Sequence, residues 1–318
     1  MIYGGDDVGG ECVYDTLMPG GNDTGVCTTK KHVEEISKFV EKNGVRTSGM
    51  SPRSILDKAK KLLGVTRERD LWLNQKFQSF ISNGELLRNI DKYFKPPGPA
   101  NSTKLLNNIN IDQTLENWTN IINGSFDPGV LKLTQGGGSN NDPKFAKWKK
   151  VKHIGFQMID FASKLNLLGN DLRDIDIPGL VADGYKCFVV VMNTDISLGT
   201  GKHWFCLFGD LSGKGTRDSP YVIEFFNSSG NGPRREIIEW YNSLRNSFPG
   251  VHIELKLVNE GRQLQFSRTE CGLWALNYIK HRLLGNSPES FVTSGITDEK
   301  MTSSRAVLFR GGNELIIV

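Results

Sequence analysis

Cys271 stands directly before Gly272 and a run in which Leu273, Leu276, Ile279 and Leu283 recur at helical spacing. That spacing predicts a helix packed by one face on a core, with Cys271 in its first turn and Thr269 and Glu270 at its entry. The unpaired N–H groups and positive dipole end of such a helix favour thiolate over thiol, the form that attacks carbonyl carbon. A lone cysteine in this position reads more readily as a small buried apolar residue. Two further segments shift the balance.

Thr200-Gly-Lys-His203-Trp204-Phe-Cys-Leu-Phe208 reads as a turn feeding a strand, with His203 at the strand start. Tyr221 to Asn227 reads as a second strand, followed by the turn chemistry of Asn-Ser-Ser-Gly230. If the two strands are antiparallel neighbours joined by the loop from Gly209 to Pro220, the start of one lies beside the end of the other. His203 and Asn227 then meet at one sheet edge. A side-chain carbonyl that accepts from one ring nitrogen of a histidine fixes its tautomer and leaves the other nitrogen to take a thiol proton. His203, Asn227 and Cys271 are therefore the candidate base, orienter and nucleophile.

The chain order His, Asn, Cys differs from the Cys, His, Asn order of papain-type enzymes. Together with His-Trp at a strand start, a strand-terminal Asn, and Gln-x5-Cys-Gly opening a helix, it resembles the ubiquitin-like-protein-specific and adenovirus-type proteases. Within that clan the chain is most similar to the polyprotein-processing proteases of African swine fever virus and related large DNA viruses. The strings that carry this resemblance are Asn193 to Trp204, Glu224-Phe-Phe-Asn227-Ser-Ser-Gly230-Asn and Thr269-Glu-Cys271-Gly272, with Phe94 to Pro99 and Asn110 to Trp118 upstream.

The resemblance implies Cys271 as nucleophile, His203 as general base and later acid, and Asn227 as orienter. It implies Gln265, six positions before the cysteine, as the oxyanion donor, with Gln263 as the rival because the glutamine spacing varies across the clan. Trp204 would lie over the substrate chain and admit only glycines, which implies cleavage after Gly-Gly. Most of the ubiquitin-like branch has Asp where this chain has neutral Asn227. Taken singly, Trp204 reads as a core aromatic, Asn227 as a turn former and Gln265 as a solvated loop residue. Lys202, Arg268 and Glu270 read as surface charges.

The fold class implied is α+β, a ubiquitin-like-protease-type core whose central, mostly antiparallel sheet is flanked by helices, with an N-terminal helical arm. The expected domains are a flexible Gly-rich leader over 1–28, a helical arm over 29–95 and a cysteine protease core over 96–318. In the arm, Thr29 can cap a helix through Val40, Ser51-Pro52 opens one ending before Gly64, a third runs from Glu68 to Ile81 and a fourth reaches Tyr93. The core is expected to hold a helix over Ile111 to Ile122, a Gly/Asn-rich insertion around Gln135 to Asp142, and a crossover helix over Arg234 to Ser247 before a strand over Val251 to Val258.

At 318 residues, with 38% apolar and 23% charged residues, the chain can bury one enzyme-sized core plus a smaller unit. Its five cysteines are odd in number and irregularly spaced, which argues against a disulfide framework and for a reducing compartment. No Cys/His pair has zinc-ligand spacing, and no cofactor or metal is expected. No apolar run is long enough to span a bilayer, so no membrane insertion is expected. The net charge of +4 leaves a nucleic-acid partner open, and the basic cluster from Lys144 to Lys152 around Trp148 reads as a solvated helical face. Gly199-Thr-Gly-Lys202 lacks the full phosphate-loop pattern.

The function implied is a viral cysteine endopeptidase that cuts structural polyproteins at Gly-Gly-Xaa sites during virion maturation, in the host cytoplasm and the virion. The alternatives are removal of ubiquitin-like modifiers, acetyl transfer on the same scaffold, and a catalytically silent peptide-binding module. Gly4-Gly5-Asp6, Gly9-Gly10-Glu11, Gly20-Gly21-Asn22 and Gly311-Gly312-Asn313 are themselves Gly-Gly-Xaa strings near the chain ends, where self-trimming is conceivable and flexible ends are the commoner explanation.

Overall fold

The computed structural model describes residues 11–17, 26–88, 90–124, 147–148, 150–163 and 171–311. The insertion expected around Gln135 to Asp142 lies outside them, as do the terminal Gly-Gly-Xaa strings in whole or in part. The chain divides into two compact units, one of Met1–Asn101, Gly124–Asn141 and Ala306–Val318, the other of Ser102–Asn123 and Asp142–Arg305.

The first unit is helical. Its α1 (Val13–Leu17) buries Val13, Tyr14 and Leu17, and Cys12 just before it is disulfide-bonded to Cys27. Two expectations are corrected here: the described part of the leader is an ordered, buried helix, and two of the five cysteines pair. A cross-link across 15 residues removes about 3 kcal/mol of unfolded-chain entropy.

Helices α2 (Lys30–Lys42) and α3 (Pro52–Leu63) follow their sequence signals. The Ser51 hydroxyl accepts from the Ser54 N–H at 3.2 Å at the start of α3, and Gly64 ends it at φ +68°. The single helix expected from Glu68 to Ile81 is instead α4 (Glu68–Leu73) and α5 (Gln75–Gln78). Asn74 is the cause, because its side-chain oxygen accepts from the N–H groups of Lys76 and Phe77 and starts a new helix. Then come α6 (Gly84–Arg88) and a 3-10 turn over Ile90–Tyr93. Phe39 and Trp72 each meet the Phe77 ring edge-on at 5.1 Å in the core of this unit.

The second unit holds a five-stranded sheet in the order β1 (Val151–Met158), β2 (Cys187–Asn193), β3 (Trp204–Asp210), β4 (Tyr221–Phe226), β5 (Ile253–Leu257). The two central pairings, β2–β3 and β3–β4, are antiparallel, and the two outer ones are parallel. The unit's helices are α7 (Asn108–Ile122), α8 (Ile177–Ala182), α9 (Arg235–Ser247), α10 (Cys271–Leu283), α11 (Pro288–Val292) and α12 (Asp298–Leu308) as far as Arg305. The register Cys206↔Phe226 sets the start of β3 beside the end of β4.

Strand β2 is buried along its whole length, which is why it reads as a continuous apolar run rather than an alternation. Phe205, Leu207, Ile223 and Phe225 share a core with Ile237, Trp240 and Leu244 of α9. Phe226 stacks on Tyr278 of α10, with ring centroids 4.4 Å apart. The solvated helical face expected around Trp148 is corrected at its described residues: Trp148 is fully buried, its indole N–H donates to the Arg282 carbonyl at 2.6 Å, and Val151 begins β1.

Candidate active site

The antiparallel pairing of β3 with β4 brings His203, one residue before β3, against Asn227, one residue after β4. The His203 Nε2 and Asn227 Oδ1 atoms are 2.7 Å apart. The Asn227 amide is held from all sides: its Nδ2 donates to the Asn231 carbonyl at 3.1 Å, and its Oδ1 also accepts from the Ser229 N–H and hydroxyl at 3.2 and 2.9 Å. Its backbone is locked to Asn259, whose Oδ1 accepts the Asn227 N–H and whose Nδ2 donates to the Asn227 carbonyl at 2.7 Å. The donation to Asn231 fixes which end of the amide faces the ring, so Nε2 carries the proton and Nδ1 is left as the acceptor.

Cys271 is the first residue of α10 and is only 2% exposed. Burial pushes its thiol above the ordinary value, against the pull of the backbone N–H groups of Trp204, Gly272 and Cys271 itself. The N–H groups of the helix start pull toward thiolate, as expected, but loss of solvent outweighs them. Cys187 and Cys206 are fully buried, and burial raises both thiols far above their ordinary range.

Gln265 is 7% exposed, and both ends of its amide are engaged. Its Oε1 accepts from the Ser228 hydroxyl at 2.7 Å and its Nε2 donates to the Ser267 carbonyl at 2.9 Å, which engages one of the two Nε2 hydrogens. The rival Gln263 is exposed and spends its amide on the Gln265 backbone carbonyl at 2.7 Å.

Trp204 lines a cleft of about 300 Å³ with Leu106, Phe156, Met158, Asn193 and Lys202. Its indole N–H donates to the Leu106 carbonyl at 3.0 Å, which pins the ring as one wall. Lys202 is exposed and pairs with Asp195 at 3.2 Å, and Arg268 is exposed. Glu270 is not the surface charge expected. It is 2% exposed and ion-paired at 3.1 Å with Arg305, itself 1% exposed. Although burial opposes ionisation there, hydrogen bonds from Thr269, Arg305 and Thr302 help to outweigh it and hold the carboxyl below its ordinary value.

Among the described residues no group of three or more His, Cys, Asp and Glu side chains is arranged to hold a metal ion, and no helix is long and apolar enough to cross a membrane. The partners Ser228, Asn259 and Leu106 have no sequence signal, since each acts through hydrogen bonds set by tertiary packing.

No family model matches the chain. A cysteine protease of African swine fever virus, strain Badajoz 1971 Vero-adapted, is 31% identical over 89% of this chain and 91% of its own. The chain belongs to this family of viral cysteine proteases. The relative from the isolate Tick/South Africa/Pretoriuskop Pr4/1996, called a SUMO-1 cysteine protease, is also 31% identical over the same shares. The crystal structure of the African swine fever virus protease superposes with a TM-score of 0.59 at 26% identity, over 90% of this chain and 92% of that one. As a member of this family the protein is a cysteine-type hydrolase of viral type, with the α+β protease fold that the family shares.

Proposed function

We propose that the protein is an endopeptidase that cuts after Gly-Gly in viral structural polyproteins, with Cys271, His203, Asn227 and Gln265 as its working residues and virus assembly in the infected cell as its setting. The observation that carries this reading is the 2.7 Å contact between His203 Nε2 and Asn227 Oδ1 beside a helix that begins with Cys271. His203 Nδ1 takes the Cys271 proton and the sulfur attacks the scissile carbonyl carbon. The free Nε2 hydrogen of Gln265 and the Cys271 backbone N–H hold the oxyanion; one such donor contributes about 3 kcal/mol to the transition state. The tetrahedral adduct collapses with the His203 proton passing to the leaving amine, which departs and leaves a thioester on Cys271. Water then gives its proton to Nδ1, attacks the thioester and releases the carboxylic acid as the thiol is restored.

Burial pushes the Cys271 thiol up, so the attack requires His203 to take its proton. The indole of Trp204, pinned to Leu106 next to His203, is the wall that would exclude a Cβ if the substrate chain runs beneath it. A second reading, release of ubiquitin-like modifiers that end in the same Gly-Gly, is favoured by the name SUMO-1 cysteine protease given to relatives.

Cleavage of Gly-Gly-Xaa and Gly-Ala-Xaa peptides beside a folded SUMO fusion, with the wild type and Cys271→Ala, separates the readings. Cutting of Gly-Gly-Xaa peptides alone, lost in the variant, is the expected result. Cutting of the fusion alone moves the assignment to deconjugation, and equal cutting of Gly-Ala-Xaa removes the role given to Trp204.

A further inference from the structure

The segment from Gln265 to Glu270 leads into the nucleophile helix, and α12 grips it with three side chains spaced along one helical face, Asp298, Thr302 and Arg305. Asp298 Oδ2 accepts the successive backbone N–H groups of Phe266 and Ser267, each at 2.7 Å. Its other oxygen, Oδ1, accepts the indole N–H of Trp274 at 2.8 Å. Trp274 lies three residues after Cys271, in the first turn of α10. One carboxylate thus ties the loop that carries Gln265 to the helix that carries Cys271. Seven residues along, Arg305 reaches the Glu270 carboxylate, the Thr269 carbonyl and the Lys104 carbonyl at 3.1, 3.3 and 2.7 Å.

The connection to Gln265 is direct. Ser267 offers its carbonyl to Gln265 Nε2 at 2.9 Å and its N–H to Asp298, so the carboxylate holds the peptide whose neighbour aims the amide. Phe266, between them, is 78% exposed, so its side chain buries little surface that could hold the loop in place. Loop conformation at this point therefore depends on backbone hydrogen bonds, and charge-assisted ones are the strongest available.

We infer that Asp298 is a positioning residue of the protease, which sets the Gln265 amide relative to Cys271 by clamping the Phe266 and Ser267 N–H groups and Trp274 on one carboxylate. The inference rests on the proposed role of Gln265 as oxyanion donor. It predicts that loss of the carboxylate slows steps that build a tetrahedral oxyanion and leaves the intrinsic reactivity of the thiol intact.

Two reactions of Cys271 separate these effects. Acylation by an N-acetyl-Gly-Gly aryl ester passes through an oxyanion, and alkylation by iodoacetamide does not. Both rates are measured on the full chain for the parent, Gln265→Ala, Asp298→Ala, Asp298→Asn and the Gln265→Ala/Asp298→Ala double variant. Gln265→Ala is expected to slow acylation about 100-fold, the usual loss for one oxyanion donor. Asp298→Ala is expected to slow it at least about 10-fold with alkylation within about 2-fold of the parent, and to add nothing in the Gln265→Ala background.

A Gln265→Ala enzyme that acylates as fast as the parent overturns both the oxyanion reading and this inference. A slow Gln265→Ala enzyme beside a fast Asp298→Ala enzyme overturns the inference alone, as does full additivity in the double variant. If Asp298→Ala loses its cooperative unfolding transition, the isosteric Asn variant decides, since it keeps one acceptor oxygen and loses the charge. Equal losses of acylation and alkylation in the Asn variant, or its failure to fold, make Asp298 a general structural residue and overturn the positioning role.

Discussion

His203 Nε2 and Asn227 Oδ1 lie 2.7 Å apart at the edge of the β3–β4 pair, and Asn227 donates through Nδ2 to the Asn231 carbonyl. The amide can present only its oxygen to the ring, so the imidazole is held in the tautomer that accepts at Nδ1. Replacing Asn227 with Ala removes that orientation and is expected to lower kcat, and with it kcat/KM, at least about 10-fold. Steady-state kinetics on a cleaved peptide check this; an unchanged kcat would mean that the ring is oriented by something else.

Burial raises the Cys271 thiol above its ordinary value. The resting enzyme is therefore expected to hold a thiol at neutral pH, with thiolate absorbance at 240 nm appearing only on the alkaline side. A difference titration against Cys271→Ser reads this directly. A plateau of thiolate absorbance already present at pH 6 would point instead to a preformed ion pair. Cys187 and Cys206 are fully buried and their thiols are raised further than that of Cys271, which is 2% exposed, so mass spectrometry after iodoacetamide treatment of native protein should find more label on Cys271 than on either of them.

Gly230 closes the turn after Asn227 at φ +77°, and a Cβ built there comes within 2.7 Å of the Arg262 carbonyl carbon and the Gln263 nitrogen. Both the backbone conformation and the space demand glycine. Gly230→Ala is expected to destabilise the protein by about 1–3 kcal/mol and to displace the strand of chain that leads to Gln265. Urea unfolding together with the acylation rate tests this, and a variant matching the parent in both would show that the turn relaxes without cost.

Glu68 is 2% exposed, and burial pushes its carboxyl from 4.5 up to about 7, against hydrogen bonds from Cys27 and Thr28. A folded-state value above the unfolded one means that the folded state binds the proton more tightly. The stabilisation is complete below pH 4.5 and is lost as pH rises through 7, by an amount on the order of 3 kcal/mol. Thermal melts from pH 5 to pH 8 should show Tm falling in the parent and a flatter profile in Glu68→Gln. Parallel profiles in the two proteins would count against it.

The Cys12–Cys27 bond holds α1 beside the Glu68 carboxylate, which accepts the Cys27 N–H at 2.8 Å. Removing the cross-link with Cys12→Ser and Cys27→Ser should cost about 3 kcal/mol of stability under non-reducing conditions. Denaturant titration of the double variant, compared with the parent before and after treatment with a reductant, measures it; identical midpoints would mean that the closed loop contributes nothing.

The sequence alone determined the features that arise from local periodicity and neighbouring strands. The helix beginning at Cys271 follows from apolar residues at helical spacing. The meeting of His203 and Asn227 follows once the two consecutive strands pair antiparallel, since such a pair sets one start beside the other's end. The limits of α3 follow from Ser51 and Gly64, whose backbone preferences need no tertiary partner. Tertiary structure decided the rest, because those features depend on contacts between residues far apart in the chain. The thiol state of Cys271 is set by how deeply the helix start is buried. Glu270 reads as a solvated charge until Arg305, 35 residues on, is folded against it. Ser228, Asn259 and Asp298 carry no pattern of their own, and Cys12 with Cys27 looks unpaired in an odd count of five. Periodicity records which face of an element is buried; it does not record which distant donor will meet a given carboxylate.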